Sequence, residues 1–290
     1  GKLASHAGCP GFEIGTKLDA ARESHGMEAE EGPGGPDAEL MVVYTSGTTG
    51  RPKGAVLAQA AMRANAEMSH HAYAMTPDDH VLNILPLFHV GGLNIQPLPA
   101  LLAGAGVVIH DGFDPAAVLS AIRAEGITQI TVVPTILGAL LAAPAWTEAD
   151  LSSLRMMAIG STDVPVALIE AVHARGIPVV QVYGATETSP TAIYQTADIA
   201  AATVGSIGKA GKCCDIRITG DDGAELPVGE VGENRVRGDN ILTRYWNNEA
   251  ASTESIADGW FRTGDMARVD AAGLYWLSLI HISEPTRPLY

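Results

Sequence analysis

Positive charge is scarce in this chain. Its 290 residues carry 18 Lys and Arg against 33 Asp and Glu, a formal net charge of -15. A broad nucleic-acid surface is excluded, because binding a phosphate backbone needs clustered Lys and Arg. An anionic ligand would have to be held by local donors and a metal ion. Cysteine is scarce too: Cys9 and the adjacent pair Cys213 and Cys214 make neither a C-x-x-C site nor an even disulfide framework. A reducing, cytoplasmic setting is the expectation, and the pair reads as two small residues at the start of a strand.

Unbroken apolar runs are missing. Residues 81–109 and 127–146 contain no Asp, Glu, Lys or Arg, but Pro86, Pro97, Pro99 and the Gly91-Gly92 pair cut the first and Pro134 cuts the second. Both read as buried strand-then-helix units and not as transmembrane segments. An initiator Met and a secretory leader pattern are absent as well, so GKLASHAGCPGFEIG reads as a chain entered midway. What remains, with 47% hydrophobic residues, suffices for one large or two ordinary domains with a real core.

Over residues 40–183, short apolar runs (VLNIL, GVVIH, ITQITVV, LRMMAIG, PVVQVYG) alternate with helical patterns (PAAVLSAIRAEG, TILGALLAA, VPVALIEAVHARG). This alternation predicts an α/β fold with a mostly parallel sheet flanked by helices, whose ligands collect at the carboxyl ends of the strands. After about residue 205, short β-type runs with DDG and AAG hairpin turns predict a smaller β-rich lobe. The expected divisions are an acidic loop or linker over 1–38, an α/β subdomain over 39–204, the β-rich lobe over 205–276 and a tail over 277–290.

Three stretches carry chemistry. YTSGTTGRPKG, residues 44–54, follows an apolar run and precedes AVLAQAAMRANAEM, so it is expected between a strand and a helix. Its glycines can turn backbone N–H groups toward an anion, the hydroxyls of Thr45, Ser46, Thr48 and Thr49 can donate, and Lys53 adds a positive charge. The Walker template fails, because Pro52 stands where the second glycine belongs. YGATETSP, residues 183–190, directly follows an apolar strand; Thr186 suits a phosphate and Glu187 an oxygen ligand for Mg2+. In GWFRTGDMARVDAAGLYW, Asp265 follows a glycine and suits a ribose diol, although local turn chemistry explains it equally well.

In order and spacing, these stretches resemble the adenylate-forming acyl-CoA synthetases, relatives of aryl-CoA ligases, luciferases and peptide-synthetase adenylation domains. The resemblance runs from about Glu39 to Trp276 and includes LPLFHVGGL, AIGSTDVP, VGSIGKAG and GDNILTRYWNNEAA. It implies an ATP-dependent carboxylic acid-CoA ligase with Mg2+ as cofactor and coenzyme A as co-substrate, built on part of that fold's large N-terminal domain. By motif, Thr45, Ser46, Gly47, Thr48, Thr49, Gly50 and Lys53 would hold the β- and γ-phosphates, Thr186 the α-phosphate region and Glu187 the Mg2+. Tyr183 would stack on adenine with Gly184 allowing close approach, Gly160 and Ser161 would border the base or the acyl carboxylate, Asp265 would accept the ribose hydroxyls, and His89 would line the acyl pocket.

FHVGGLNI and TVVPTILGALL imply a fatty or aryl acid; the one candidate for gripping an amino group, Asp163, is not where an amino-acid-activating relative would have it. Two alternatives stay open: such an adenylation domain, and a non-catalytic ATP- or acyl-binding module. The family would continue past GLYW into a hinge and a lysine-bearing C-terminal domain, whereas LSLIHISEPTR resembles a translated sequencing adapter. The chain is therefore expected to be an internal fragment with a non-native tail, inactive alone.

Overall fold

Short strands of four or five residues, largely buried on both faces, build the centre of the molecule. The computed structural model describes residues 34–45, 52–161 and 164–278. The loop residues Ser46, Gly47, Thr48, Thr49 and Gly50, together with Asp163, most of the acidic opening segment and the tail past residue 278, lie outside the described residues. In chain order come β1 (Glu39–Thr45), β2 (Lys53–Ala58), α1 (Gln59–Tyr73), β3 (His80–Asn83), the one-turn α2 (Val90–Leu93), α3 (Pro97–Ala103), β4 (Gly106–Ile109), α4 (Pro115–Ala124), β5 (Gln129–Val132), α5 (Pro134–Ala142), β6 (Met156–Gly160), α6 (Val166–His173) and β7 (Val179–Tyr183). A short turn at Thr186–Thr188 leads to β8 (Ile193–Tyr194), α7 (Ala197–Ala200), β9 (Lys209–Ala210), β10 (Cys214–Thr219), β11 (Gly232–Gly238), β12 (Arg244–Tyr245), α8 (Glu249–Ser255), β13 (Ile256–Ala257), β14 (Trp260–Val269) and β15 (Tyr275–Leu277).

The largest sheet has the order β4-β3-β5-β6-β7-β8-β9, parallel from β4 to β7 and antiparallel at β8 and β9. Strand alternation sorts its side chains: Met157 and Ile159 face Ile122, Leu137, Leu140 and Ile169 of α4, α5 and α6, whereas Met156 and Ala158 face Met68, Ala72 and Tyr73 of α1. Prolines open α3, α4 and α5, where a missing N–H costs nothing. Of the two smaller sheets, β10-β11-β14-β13 with β15 on β14 is the β-rich lobe, and both its DDG and AAG turns are present: Gly220 N–H donates to Ala224 O and Gly273 N–H to Asp270 O. The α/β class with a following β lobe stands as the sequence implies.

The third sheet, β1-β2-β12, corrects one expectation. YTSGTTGRPKG does not join a strand to a helix; it joins the antiparallel strands β1 and β2, with Thr45 opposite Lys53, and the helix begins only at Gln59. Residues 55–58, read as helical, are strand because β2 is paired on both sides, by β1 and by β12. Thr243 N–H reaches Val56 O from 187 residues away, and two ladders outweigh the helical preference of Ala and Leu. Pairing also crosses the division at 204/205: β9 edges the large sheet and β12 joins the hairpin. At the other end, Leu277 pairs with Ala267 and Ser278 N–H donates to Met266 O.

The amino ends of the central strands are clamped. Asp79, 1% exposed, accepts two bonds from the Arg155 guanidinium at 2.8 Å, one from Thr128 Oγ1 at 2.6 Å and one from Thr76 N–H at 2.8 Å. These residues precede β3, β6 and β5, so the clamp ties three strands at the end remote from the predicted ligand residues.

Candidate functional site

From β3 the chain crosses to β4 on one side and then to β5 on the other, the kind of switch point at which open α/β sheets hold ligands beyond the carboxyl ends of the strands. His89 follows β3, Gly160 ends β6 with Ser161 just beyond, and Tyr183 ends β7, leading into Gly184, Thr186 and Glu187. Close approach explains the two glycines. A Cβ on Gly160 would overlap Val182 O of the neighbouring strand, and one on Gly184 would overlap Pro190 O.

The turn after β7 is where the three sheets meet. It is closed by Thr188, whose hydroxyl accepts from Ala185 N–H at 2.9 Å. Asn240 Nδ2 donates to Thr191 O at 2.8 Å, Asn94 Nδ2 to Ser189 O at 3.4 Å, and Leu242 N–H to Glu187 O at 2.8 Å. Thr186 and Glu187 are consequently buried, at 9% and 8% exposure. Glu187 is held by its side chain as well: Tyr245 Oη donates to Oε1 at 2.8 Å. Burial and then the Glu187 charge push the Tyr245 hydroxyl pKa up, so it remains a donor. Lys53 Nζ lies 5.4 Å from the centroid of the same Tyr245 ring, within cation–π range. Thr45 Oγ1, opposite Lys53 in the hairpin, donates to Lys53 O at 3.4 Å.

A second carboxylate meets a second tyrosine. Tyr183 Oη donates to Asp265 Oδ2 at 2.8 Å, and Asp265 N–H donates to Thr263 Oγ1, whose own hydroxyl donates to Asn234 O. Burial raises the Asp265 pKa, and the Tyr183 bond opposes that shift only in part. Among the described residues nothing donates to Asp265 Oδ1 or to Glu187 Oε2. Among the described residues, one oxygen of each carboxylate is thus left without a donor.

His89 caps α2: its Nδ1 accepts from Gly91 N–H at 2.9 Å. Desolvation by its neighbours lowers its pKa, so at neutral pH the ring is uncharged and, with Nδ1 an acceptor, carries its proton on Nε2. Val90 packs in one cluster with Ala55 and Tyr245, which places this segment at the base of the β1–β2 hairpin. Ser161 has φ 81, a left-handed conformation that side chains seldom take and that concentrates at functional positions.

Tyr183 and Asp265 thus meet directly, Lys53 and Glu187 meet through Tyr245, and His89, Gly160 and Ser161 stand on the same strand-end edge. No hydrogen bond joins the Tyr183–Asp265 pair to the Glu187–Tyr245 pair among the described residues. Sequence reasoning missed Tyr245, Asn240, Asn94 and Thr263. GDNILTRYWNNEAA was singled out as a signature, but nothing local shows that its Tyr would reach a Glu 58 residues earlier. Among the described residues no three His, Cys, Asp or Glu side chains cluster closely enough to hold a metal ion, and no helix is long and apolar enough to cross a membrane. Cys214 opens β10, with burial pushing its thiol up to about 12, so it is an inert packing residue.

Known proteins are similar to this chain in sequence and in fold. The AMP-binding enzyme family matches residues 8–246. Indoleacetate–CoA ligase of Aromatoleum aromaticum is 51% identical over 84% of this chain and 48% of its own length. Among solved structures, the inhibitor-bound N-terminal domain of FACL13 from Mycobacterium tuberculosis superposes with a TM-score of 0.84 at 31% identity, over 91% of this chain and 66% of that one. O-succinylbenzoate coenzyme A synthetase from Bacillus subtilis, in complex with ATP and magnesium ion, superposes with a TM-score of 0.76 at 33% identity, over 84% of this chain and 50% of that one. The chain spans about half the length of the curated relatives it matches. Motif order, the strand-end site and the family match agree: this chain belongs to the AMP-binding enzyme family, whose relatives here are acyl- and aryl-CoA ligases.

Proposed function

We propose that the chain is the nucleotide- and acid-binding part of an ATP-dependent ligase that joins an aromatic carboxylic acid to coenzyme A. The observation that carries this reading is the pair of half-satisfied carboxylates, Glu187 and Asp265, each bonded to a buried tyrosine at the carboxyl edge of the sheet. In the reaction, a carboxylate oxygen of the acid attacks the α-phosphorus of ATP and pyrophosphate leaves. The sulfur of coenzyme A then attacks the acyl carbon and AMP leaves. Adenylation provides the leaving group that a free carboxylate lacks, so the protein has mainly to align the reactants and offset developing charge.

Asp265 takes the ribose hydroxyls through Oδ1, Tyr183 and Gly184 border the adenine, and Thr186 donates near the α-phosphate. Lys53, with Thr45, Ser46, Gly47, Thr48, Thr49 and Gly50, holds the β- and γ-phosphates. His89 donates from Nε2 to the acid's carboxylate, beside Gly160 and Ser161. Glu187 fits Mg2+: it offers one hard oxygen, and Mg2+ is usually held by one or two carboxylates together with substrate phosphates and water. When bound, that ion neutralises charge on the transferring phosphoryl group. An aromatic acid is favoured over a fatty one because the relatives named above act, by name, on indoleacetate and o-succinylbenzoate. A cytoplasmic site of action belongs to the same reading, since ATP and free thiols coexist there.

The test is equilibrium binding of AMP and of sulfamoyl-adenosine mimics of acyl-adenylates to the chain. Mimics of reaction intermediates should bind more tightly than AMP, and an indoleacetyl or feruloyl mimic should exceed a palmitoyl or aminoacyl mimic by about tenfold or more, the worth of one well-filled pocket contact. A chain that binds no AMP, or prefers the aminoacyl mimic, overturns the reading.

A further inference from the structure

Tyr245 touches both groups assigned to the triphosphate end of the site, although no motif assigns it a role. Its hydroxyl donates to Glu187 Oε1 at 2.8 Å and its ring lies 5.4 Å from Lys53 Nζ. The side chain is 5% exposed and fixed from several directions: its backbone pairs with Ala55 of β2, its N–H donates to Ser252 Oγ, and its ring packs with Val43, Leu57, Leu242 and Phe261. The same short segment grips Glu187 a second time, through Leu242 N–H on Glu187 O. Main chain and carboxylate of the metal residue are thus both set by residues 242–245.

We propose that Tyr245 is a positioning residue that makes Glu187 a one-oxygen ligand selective for Mg2+ and seats Lys53 beside it. The inference rests on the nucleotide-site reading above and extends it to a residue and a selectivity. With one lone pair of Oε1 held by the phenol and no donor on Oε2 among the described residues, Oε2 is the oxygen better placed for a cation. Mg2+ demands near-ideal octahedral geometry, whereas the larger Ca2+ readily accepts both oxygens of one carboxylate. Covering one oxygen therefore favours Mg2+. A ring that only filled the core would serve as well without its hydroxyl, and would not have to bury a phenol against a carboxylate.

Tyr245→Phe keeps the ring and its packing while freeing Oε1; Tyr245→Leu removes the ring as well. ATP binding to the chain is titrated with Mg2+ and separately with Ca2+, and AMP binding without metal reports the integrity of the adenosine end. Tyr245→Phe should raise the Mg2+ concentration needed for ATP binding about tenfold, the usual effect of removing a group that orients a metal ligand. Ca2+ dependence should change much less, with AMP affinity within about twofold. Tyr245→Leu should also weaken metal-free ATP binding relative to AMP, since Lys53 loses its seat. An unchanged Mg2+ to Ca2+ ratio in the phenylalanine variant overturns the proposal. If that variant loses AMP binding, the carboxylate-stretching infrared difference spectrum of the unaltered chain with Mg2+ and ATP decides: a monodentate splitting supports the proposal and a bidentate one overturns it. A failure of the nucleotide-site reading looks different, because the unaltered chain would then bind neither AMP nor ATP.

Discussion

Asp265→Asn should move stability and nucleotide affinity in opposite directions. The carboxylate is half-buried, one oxygen accepts from Tyr183 at 2.8 Å, and the other has no donor among the described residues. Asparagine preserves the shape and the Tyr183 bond but removes the charge. Hydrogen bonds to a charged acceptor contribute about 1 kcal/mol more than neutral ones, so two ribose hydroxyls should lose about 2 kcal/mol, or roughly thirtyfold in AMP affinity. In the nucleotide-free chain the charge is a burden. Burial raises the folded-state pKa of Asp265, so between the unfolded and folded values the native chain holds more protons, and stability falls as pH rises through that window. At neutral pH the full penalty applies and Asn removes it. Because water still reaches part of the side chain, the gain is only about 0.5 kcal/mol, or about 1–2 °C in Tm for a unit of this size. Calorimetric titration with AMP and thermal melts at pH 7.5 and pH 4 check both arms; the Tm advantage should shrink at the lower pH. A control with 2′,3′-dideoxy-AMP should bind wild type and variant alike. Equal AMP affinity in the two proteins refutes the ribose assignment, and a lower Tm at pH 7.5 refutes the account of the buried charge.

Asp79→Ala should destabilise the fold by about 3 kcal/mol, near the low end for breaking a buried ion pair because Arg155 is 40% exposed and can hydrate; a Tm loss of about 6–12 °C in a melt checks this. Burial pushes the Asp79 pKa up, but bonds from Thr128, Arg155 and Thr76 outweigh it and leave the value lowered. Its stabilisation is therefore present above the ordinary Asp value of about 3.9 and lost as pH falls through the lower folded value, so the wild-type advantage over the alanine variant should vanish in acid melts. Gly184→Ala should cost about 1–3 kcal/mol of overpacking and weaken AMP binding, because the new Cβ meets Thr188 Oγ1 at 2.6 Å as well as the Pro190 carbonyl; an unaltered Tm would show that the turn after β7 is not tightly packed there.

Local patterns determined a good deal. MMAIG is apolar at every position and VVQVY at all but Gln181, as a strand buried on both faces requires, and the intervening helices carry prolines where a helix can begin. Parallel order followed from that alternation, the β-rich lobe from the short β-type runs and hairpin turns after it, and the ordered motifs pointed to the family. Strand β2 was not legible, since KGAVLA suits a helix as readily as a strand until β1 and β12 pair with it from both sides. The roles of Tyr245 and Asn240 were equally invisible. Hydrogen bonding is decided by distance in space, and Tyr245 and Glu187 become neighbours only when three sheets converge on the turn after β7. The sequence by itself determined which motif residues are candidates for the site, because chemistry is local to a side chain. Tertiary structure alone decided which oxygen of each carboxylate accepts from a tyrosine, because that depends on ladders closed between strands far apart along the chain.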